Sequence, residues 1–221
     1  MGRRFLITGT DSRVGKTTVG CALGFAFRAR GMRVGVMKPV ETGCAEVGGE
    51  LDALDANALA LAAGSQLPAE LICPYRYRSP LAPAAAAEAD HLPPPNLDNI
   101  ARCFHEIAGQ NDAVLVESAG GLATPLNSDA DFADLAALLG LEVIVVVGNR
   151  LGCVNAAMLT LKHAESHRLI TAGYILCDID PQSAPAMETN AASLMRLSSA
   201  RYLGRVRYRE PLAKTIVEAL L

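Results

Sequence analysis

At 221 residues the chain is long enough for one well-filled hydrophobic core, and shorter than the roughly 250–300 residues at which cores usually divide. A net charge of -3, with half the residues hydrophobic, leaves no basic stripe for nucleic acid and no acidic tail. Six cysteines (Cys21, Cys44, Cys73, Cys103, Cys153 and Cys177) form no CxxC pair and have no His-rich partner pattern, so they read as the reduced thiols of a cytoplasmic protein and not as a disulfide frame or a cysteine-held zinc site.

The chain opens on "MGRRFL". Its apolar stretch is too short for a signal peptide, and Leu6 stands where myristoylation needs Ser or Thr. A strand is predicted over Phe5–Thr8, followed by the loop "GTDSRVGKTT" (Gly9 to Thr18) and a helix over Lys16–Arg30 that stops at Gly31. Next come a strand over Arg33–Lys38 and a helix over Asp52–Ala63. The Pro/Ala-rich stretch Pro74–Pro95 reads as a long surface connection or lid. Leu97, Ile100, Phe104 and Ile107 recur at helical spacing. Strands are then expected at Ala113–Glu117, Val143–Gly148, Ala172–Cys177 and Tyr202–Val206. Helices are expected at Phe132–Leu139, Asn155–His167, Pro185–Leu197 and Pro211–Leu220. "AVLV" and "VIVVV" are continuous apolar runs, as strands covered on both faces should be. Val143–Val147, the longest such run, is far too short to cross a membrane. Strand–helix alternation without a repeat implies one α/β domain over residues 1–221, a mostly parallel sheet with helices on both faces.

The first loop carries the chemistry. Gly15-Lys16-Thr17 is the second half of a phosphate-binding loop, but Thr10 fills the slot for the first glycine and Gly9 comes one residue early. Strand, turn, Gly-Lys-Thr and helix are nevertheless the context such a loop needs, because backbone N–H groups at a helix start face an anion and the dipole favours it. In that setting Lys16 reaches the β/γ-phosphates and Thr17 holds Mg²⁺. Glu117 closes a strand ahead of the small-residue turn "SAGG", where a carboxylate can reach Mg²⁺ directly or through water. Lys38 ends the second strand in "MKPVETG". On spacing alone it is as readily a solvated lysine as a functional one, and Asp55 and Asp52 are as readily ordinary polar helix positions.

Five separated segments, "GTD…VGKT", "KPVETG", "ESAGGLATPL", "FADLAALLGLEVIVVVGNRLGCVNAAMLT" and "AGYILCD", occur in the order seen in dethiobiotin synthetases of biotin biosynthesis. The chain is identified on these as resembling that family from Phe5 to about Gly204, and the displaced glycine is a family trait. The resemblance implies a P-loop NTPase-like α/β fold, a homodimer, and an ATP- and Mg²⁺-dependent ligase acting on 7,8-diaminopelargonate and CO₂. It places Arg13, Val14, Gly15, Lys16, Thr17, Thr18, Asp55, Glu117, Ser118, Ala119, Gly120, Cys177 and Asp178 around the nucleotide. It assigns Mg²⁺ to Thr17, Asp55 and Glu117, catalysis to Lys38 and Lys16, and the diamine side to Thr42. Gly152, Cys153 and Asn155, at the helix start "LGCVN", would hold the substrate carboxylate in the neighbouring subunit's site.

The chain departs from the family pattern at Arg13, Ser118, Ala156 and Cys177. Cys177 replaces an asparagine that reads adenine, which implies weak choice among nucleoside triphosphates. The alternatives are a P-loop switch ATPase of the cell-division and plasmid-partition kind, or a catalytically silent nucleotide-binding module of the same fold. The switch ATPases carry a signature lysine where this chain has Asp11.

Overall fold

The computed structural model describes residues 2–182 and 184–221. Its elements run β1 (Arg3–Gly9), α1 (Lys16–Arg28), β2 (Val34–Met37), β3 (Val40–Thr42), β4 (Ala45–Val47), β5 (Glu50–Asp52), α2 (Leu54–Ala63), α3 (Ala69–Ile72), β6 (Tyr75–Tyr77), α4 (Pro83–Ala89) and α5 (Leu97–Ala108). The second half continues β7 (Ala113–Gly121), α6 (Phe132–Leu139), β8 (Glu142–Gly148), α7 (Cys153–Ser166), β9 (Thr171–Cys177), α8 (Pro185–Leu197), β10 (Tyr202–Val206) and α9 (Lys214–Glu218).

The six long strands form one parallel sheet in the order β10-β9-β8-β1-β7-β2. Side chains alternate between its faces, as the two-residue period of a strand demands. Leu6, Val114, Val116, Val143, Val145 and Val147 face one core, where Ile100, Phe104 and Ile107 of α5 and Phe132 of α6 meet them. Phe5, Ile7, Leu115, Ile144 and Val146 face the other, against Val19, Leu23 and Phe27 of α1 and Leu59 of α2. Each of these large side chains is worth about 1.5–3 kcal/mol when fully buried, so the α5 stripe alone fastens that helix to the sheet.

Helix ends follow local chemistry. Asp131 caps α6 through a reciprocal capping box: its side chain accepts from Ala133 N and Asp134 N, and the Asp134 side chain accepts from Asp131 N. By contrast, neither α1 nor α7 has a capping side chain, and their N-cap residues are Gly15 and Gly152.

Four expectations need correction. Pro74–Pro95 is not a bare connection: it carries β6 and α4, and Tyr77, Pro83, Ala86 and Ala87 are buried. Pro83 sits in the first turn, where proline's missing N–H costs nothing, so an Ala-rich run beyond it makes a helix. Asp52 belongs to β5, and α2 starts only at Leu54. Glu117 does not end its strand, because pairing with β1 continues to Gly121 across a register shift. Finally, the last helix begins at Lys214, not Pro211. Among the described residues no helix is long and apolar enough to cross a membrane, and all six cysteines are free thiols.

Candidate active site

The carboxyl ends of β1, β2 and β7 open on a cavity of about 960 Å³, the position where open parallel sheets take their ligands. Its floor is the loop between β1 and α1. Two glycines make that loop possible. A Cβ at Gly9 would stand 2.7 Å from Val14 Cγ2 and 2.9 Å from the Asp11 carbonyl, so the displaced glycine is required by the close approach of the loop's own far side. Gly15 has φ of 99° and a Cβ there would meet Cys177 Sγ at 2.5 Å. Positive φ and lack of space therefore both demand glycine directly ahead of Lys16. With no capping side chain and no acidic residue in the first turn, the 13-residue helix α1 presents its positive end to the cavity.

The strand period then places the charges. Val36 and Leu115 face the core on the α1 side, so Lys38 and Glu117, each two residues further on, point to that side as well. The Lys38 ammonium donates to Glu117 Oε1 at 2.5 Å, to Asp55 Oδ2 at 3.1 Å and to the Ser118 carbonyl at 3.3 Å. Thr17 Oγ1 donates to the same Glu117 oxygen at 2.9 Å, while Lys16 Nζ donates to the Asp11 carbonyl at 2.9 Å. Burial opposes the charge on Lys38, and the carboxylates of Glu117 and Asp55 more than offset it, so its pKa is raised. Lys16 goes the other way: burial, and then the Lys38 charge, lowers it to about 8.

That value gives a first expected result. Above pH 8 the free protein holds Lys16 largely neutral, whereas bound phosphate oxygens favour its charged form and raise its pKa. Nucleotide binding at about pH 9 should therefore take up close to one proton, and at about pH 7 almost none from this group. Calorimetry of nucleotide binding in buffers of different ionisation enthalpy measures this. Heats at the higher pH that do not depend on the buffer would show that Lys16 does not meet the phosphates.

Metal fit can be judged from the carboxylates. Glu117 is 1% exposed, and its second oxygen, Oε2, has no hydrogen-bond partner among the described residues. A buried orphan carboxylate oxygen beside a threonine hydroxyl and a second carboxylate suits a hard cation with oxygen ligands. Thr17, Asp55 and Glu117 therefore fit Mg²⁺, which would supply charge neutralisation on phosphate oxygens.

Of the residues expected from sequence, Arg13, Gly15, Lys16, Thr17, Thr18, Lys38, Thr42, Asp55, Glu117, Ala119 and Gly120 line the cavity together. Asp52 does not; it accepts from Asn57 Nδ2 instead. Val14 and Ser118 are buried beneath the floor, and the Ser118 hydroxyl donates to Thr8 Oγ1 at 3.0 Å. Cys177 lies under Gly15, and burial pushes its thiol up to about 11, so it is no nucleophile. Asp178 is tied to Asn149 and Arg205. Gly152, Cys153 and Asn155 lie away from the cavity, at the start of α7, with Asn155 exposed.

Ser12, Thr124, Glu41 and the Pro80–Pro83 turn also line the cavity, and sequence reasoning missed them. Glu41 has a definite task. Its two oxygens accept from Asp55 N at 2.9 Å and Ala56 N at 3.0 Å, so a carboxylate from β3 caps α2 where no local side chain does. It thereby sets the position of Asp55. Replacing it, as Glu41→Ala, should raise the Mg²⁺ concentration needed for half-maximal turnover about tenfold, as loss of a ligand-orienting partner does. A Mg²⁺ titration unchanged in the variant would separate Glu41 from the metal side.

A parallel sheet, a Gly-Lys-Thr loop leading into an uncapped helix, and a lysine held between two carboxylates define a P-loop nucleotide-binding protein of the α/β class. Comparison with known proteins narrows this. A family model described as an AAA domain matches residues 3–215. The chain is 43% identical over 211 residues to a protein of Anaeromyxobacter dehalogenans named ATP-dependent dethiobiotin synthetase BioD, covering 96% of this chain and 88% of that one. It is 41% identical, with the same coverage, to the protein of that name from Anaeromyxobacter sp. strain K. The chain belongs to the dethiobiotin synthetase family.

Solved structures agree on the fold alone. The septum site-determining protein MinD of Pyrococcus horikoshii, complexed with Mg-ADP, superposes with a TM-score of 0.55 at 18% identity, over 99% of this chain and 86% of that one. Chloroplast FtsY of Physcomitrella patens gives 0.54 at 19% identity, over 100% and 65%.

Proposed function

We propose that this chain is an ATP- and Mg²⁺-dependent dethiobiotin synthetase, closing a cyclic urea from 7,8-diaminopelargonate and CO₂ in biotin biosynthesis. One amine of the diamine attacks CO₂ to give a carbamate, a carbamate oxygen takes the γ-phosphoryl group, and the second amine closes the ring and releases phosphate. The observation that carries this reading is the buried Lys38 ammonium between Glu117 and Asp55, beside Lys16 on the same cavity. Lys16 draws the transferring phosphoryl oxygens, Lys38 the carbamate and phosphoryl oxygens, and neither acts as a covalent nucleophile. Thr42, which lines the same cavity, is assigned to the diamine side in this reading. The test is labelled bicarbonate with diamine and ATP. Label in a cyclic urea supports the activity, and ATP hydrolysis without incorporation sinks it.

The working unit is a homodimer of single-domain chains (residues 1–221) in which Gly152, Cys153 and Asn155 complete the neighbour's site at the substrate carboxylate. Three things support this: the uncapped positive end of the 14-residue α7, the exposed Asn155, and Leu138, Leu151 and Leu159 exposed on α6 and around α7 at 54%, 87% and 61%. Six free thiols suit a reducing cytoplasm.

The switch-ATPase reading lacks its lysine: Asp11 fills that slot and pairs with Arg150 at 2.7 Å.

Base selection should be weak. The buried Cys177 thiol offers no paired donor and acceptor for adenine, whereas backbone N–H groups, Lys16 and Mg²⁺ hold the phosphates without sensing the base. The kcat/KM values for ATP, GTP and CTP should lie within about tenfold of one another. A preference for ATP of a hundredfold or more would place base reading elsewhere.

A further inference from the structure

Outside this cavity, two helices bring a second set of ligand atoms together. His163 and His167 sit one turn apart near the end of α7, and Asp131 and Asp134 start α6. One ligand atom each from Asp131, His163 and His167 lie within 4.8 Å of one another. His163 Nε2 is 2.7 Å from Asp131 Oδ2, and His167 Nε2 is 3.8 Å from Asp134 Oδ1.

Asp131, Asp134 and His167 are each aimed by a partner at the far atom, and the His163 ring is aimed by Asp131 itself. The capping box occupies Asp131 Oδ1, with Ala133 N and Asp134 N, and Asp134 Oδ2, with Asp131 N. This leaves Asp131 Oδ2 and Asp134 Oδ1 turned to the histidines. His167 Nδ1 lies 3.0 Å from the His163 carbonyl, a bond that requires the proton on Nδ1 and leaves the Nε2 lone pair free. A ring held by its far nitrogen on a carbonyl, and a carboxylate held by its far oxygen, are the outer supports metal ligands use. The side chains of Asp131, His163 and His167 are 17%, 27% and 29% exposed, which leaves an entry from solvent while fixing their rotamers.

We propose that this cluster is a structural binding site for a divalent transition metal of the Zn²⁺ type, with His163 Nε2, His167 Nε2 and Asp131 Oδ2 as ligands and water in the fourth position. Imidazole with carboxylate suits Zn²⁺ and its neighbours, not Mg²⁺. At about 2 Å from each atom, tetrahedral ligands stand roughly 3.3 Å apart, so the His163–Asp131 pair opens slightly to admit the ion. The ion would bind by displacing any proton shared between His163 and Asp131, and would staple the start of α6 to the end of α7.

The probe is Zn²⁺ itself, added to the chelator-stripped full chain and followed by calorimetry and thermal unfolding. The parent should take up one equivalent and melt higher with Zn²⁺. His163→Gln and His167→Gln should each weaken binding at least tenfold and lose the shift, while melting like the parent in chelator. Undiminished binding in both variants, or no uptake by the parent at about 100 µM Zn²⁺, overturns the site. Should the variants melt low in chelator, Co²⁺ in the parent decides. Ligand-field bands of a tetrahedral nitrogen and oxygen site support the assignment, and thiolate charge-transfer bands, which would locate the metal on cysteines, refute it.

Discussion

Lys38→Gln should abolish cyclic-urea formation while leaving nucleotide bound. The ammonium is 3% exposed as a residue and lies between two carboxylates at the cavity floor, where developing negative charge must be met. Removing one preorganised charge contact of this kind costs about 3 kcal/mol or more, roughly a hundredfold in rate. Gln is one bond shorter than Lys but keeps a hydrogen-bond donor and carries no charge, so the loss reads mainly charge. Nucleotide should survive because the loop N–H groups and the Lys16 and Thr17 side chains stay in place without residue 38. The variant will also be less stable, since Glu117 is left as a buried carboxylate with its cation gone; breaking such a pair costs about 3–5 kcal/mol in the metal-free protein. Turnover is therefore measured with Mg²⁺ and nucleotide present, after unfolding curves have confirmed a folded sample. Turnover within a few-fold of the parent would take Lys38 out of the mechanism.

The second large effect is a recovery. Lys16→Ala and Asn155→Ala chains should each be nearly inactive alone and regain activity when mixed. In a mixed dimer one site carries both substitutions and the other carries neither. Random exchange makes about half the dimers mixed, so the recovered activity should approach a quarter of the parent's. The expectation rests on Asn155 lying on an exposed helix start away from its own chain's cavity. A mixture that stays inactive although subunits demonstrably exchange would end the composite-site reading.

The six long strands and the main helices were legible because their signals are local: unbroken apolar runs such as Val143–Val147, and the α5 stripe. The three-residue strands β3 to β6 are too short to show a period. One cue was present: Gly48 and Gly49, both at positive φ, turn the hairpin between β4 and β5. Loop, lysine and carboxylates could be read because each sits within a contiguous motif. Glu41 could not, although it is in the same segment as Lys38, because its role is created by a helix start 14 residues away. Pro80–Pro83 was hidden differently. Its composition signals a break in the chain but not that Pro83 opens α4, and only the fold brings the stretch to the cavity wall.

The backbone register of the sheet has one more consequence. Met37 is paired with Val116, and Ile7 with Glu117. Residue 38, Glu117 and Ile7 therefore stand on one transverse row, spaced by the roughly 4.8 Å between neighbouring strands. Main-chain hydrogen bonds set that row, and the lengths of the segments joining the strands do not enter into it. Insertions between β4 and β5, or around Ser65 and Gln66, leave the lysine and glutamate where they are. A one-residue slip within β2 or β7 turns one of them to the opposite face. The chemistry is thus indifferent to the length of much of the intervening chain and intolerant of a single deletion inside a strand.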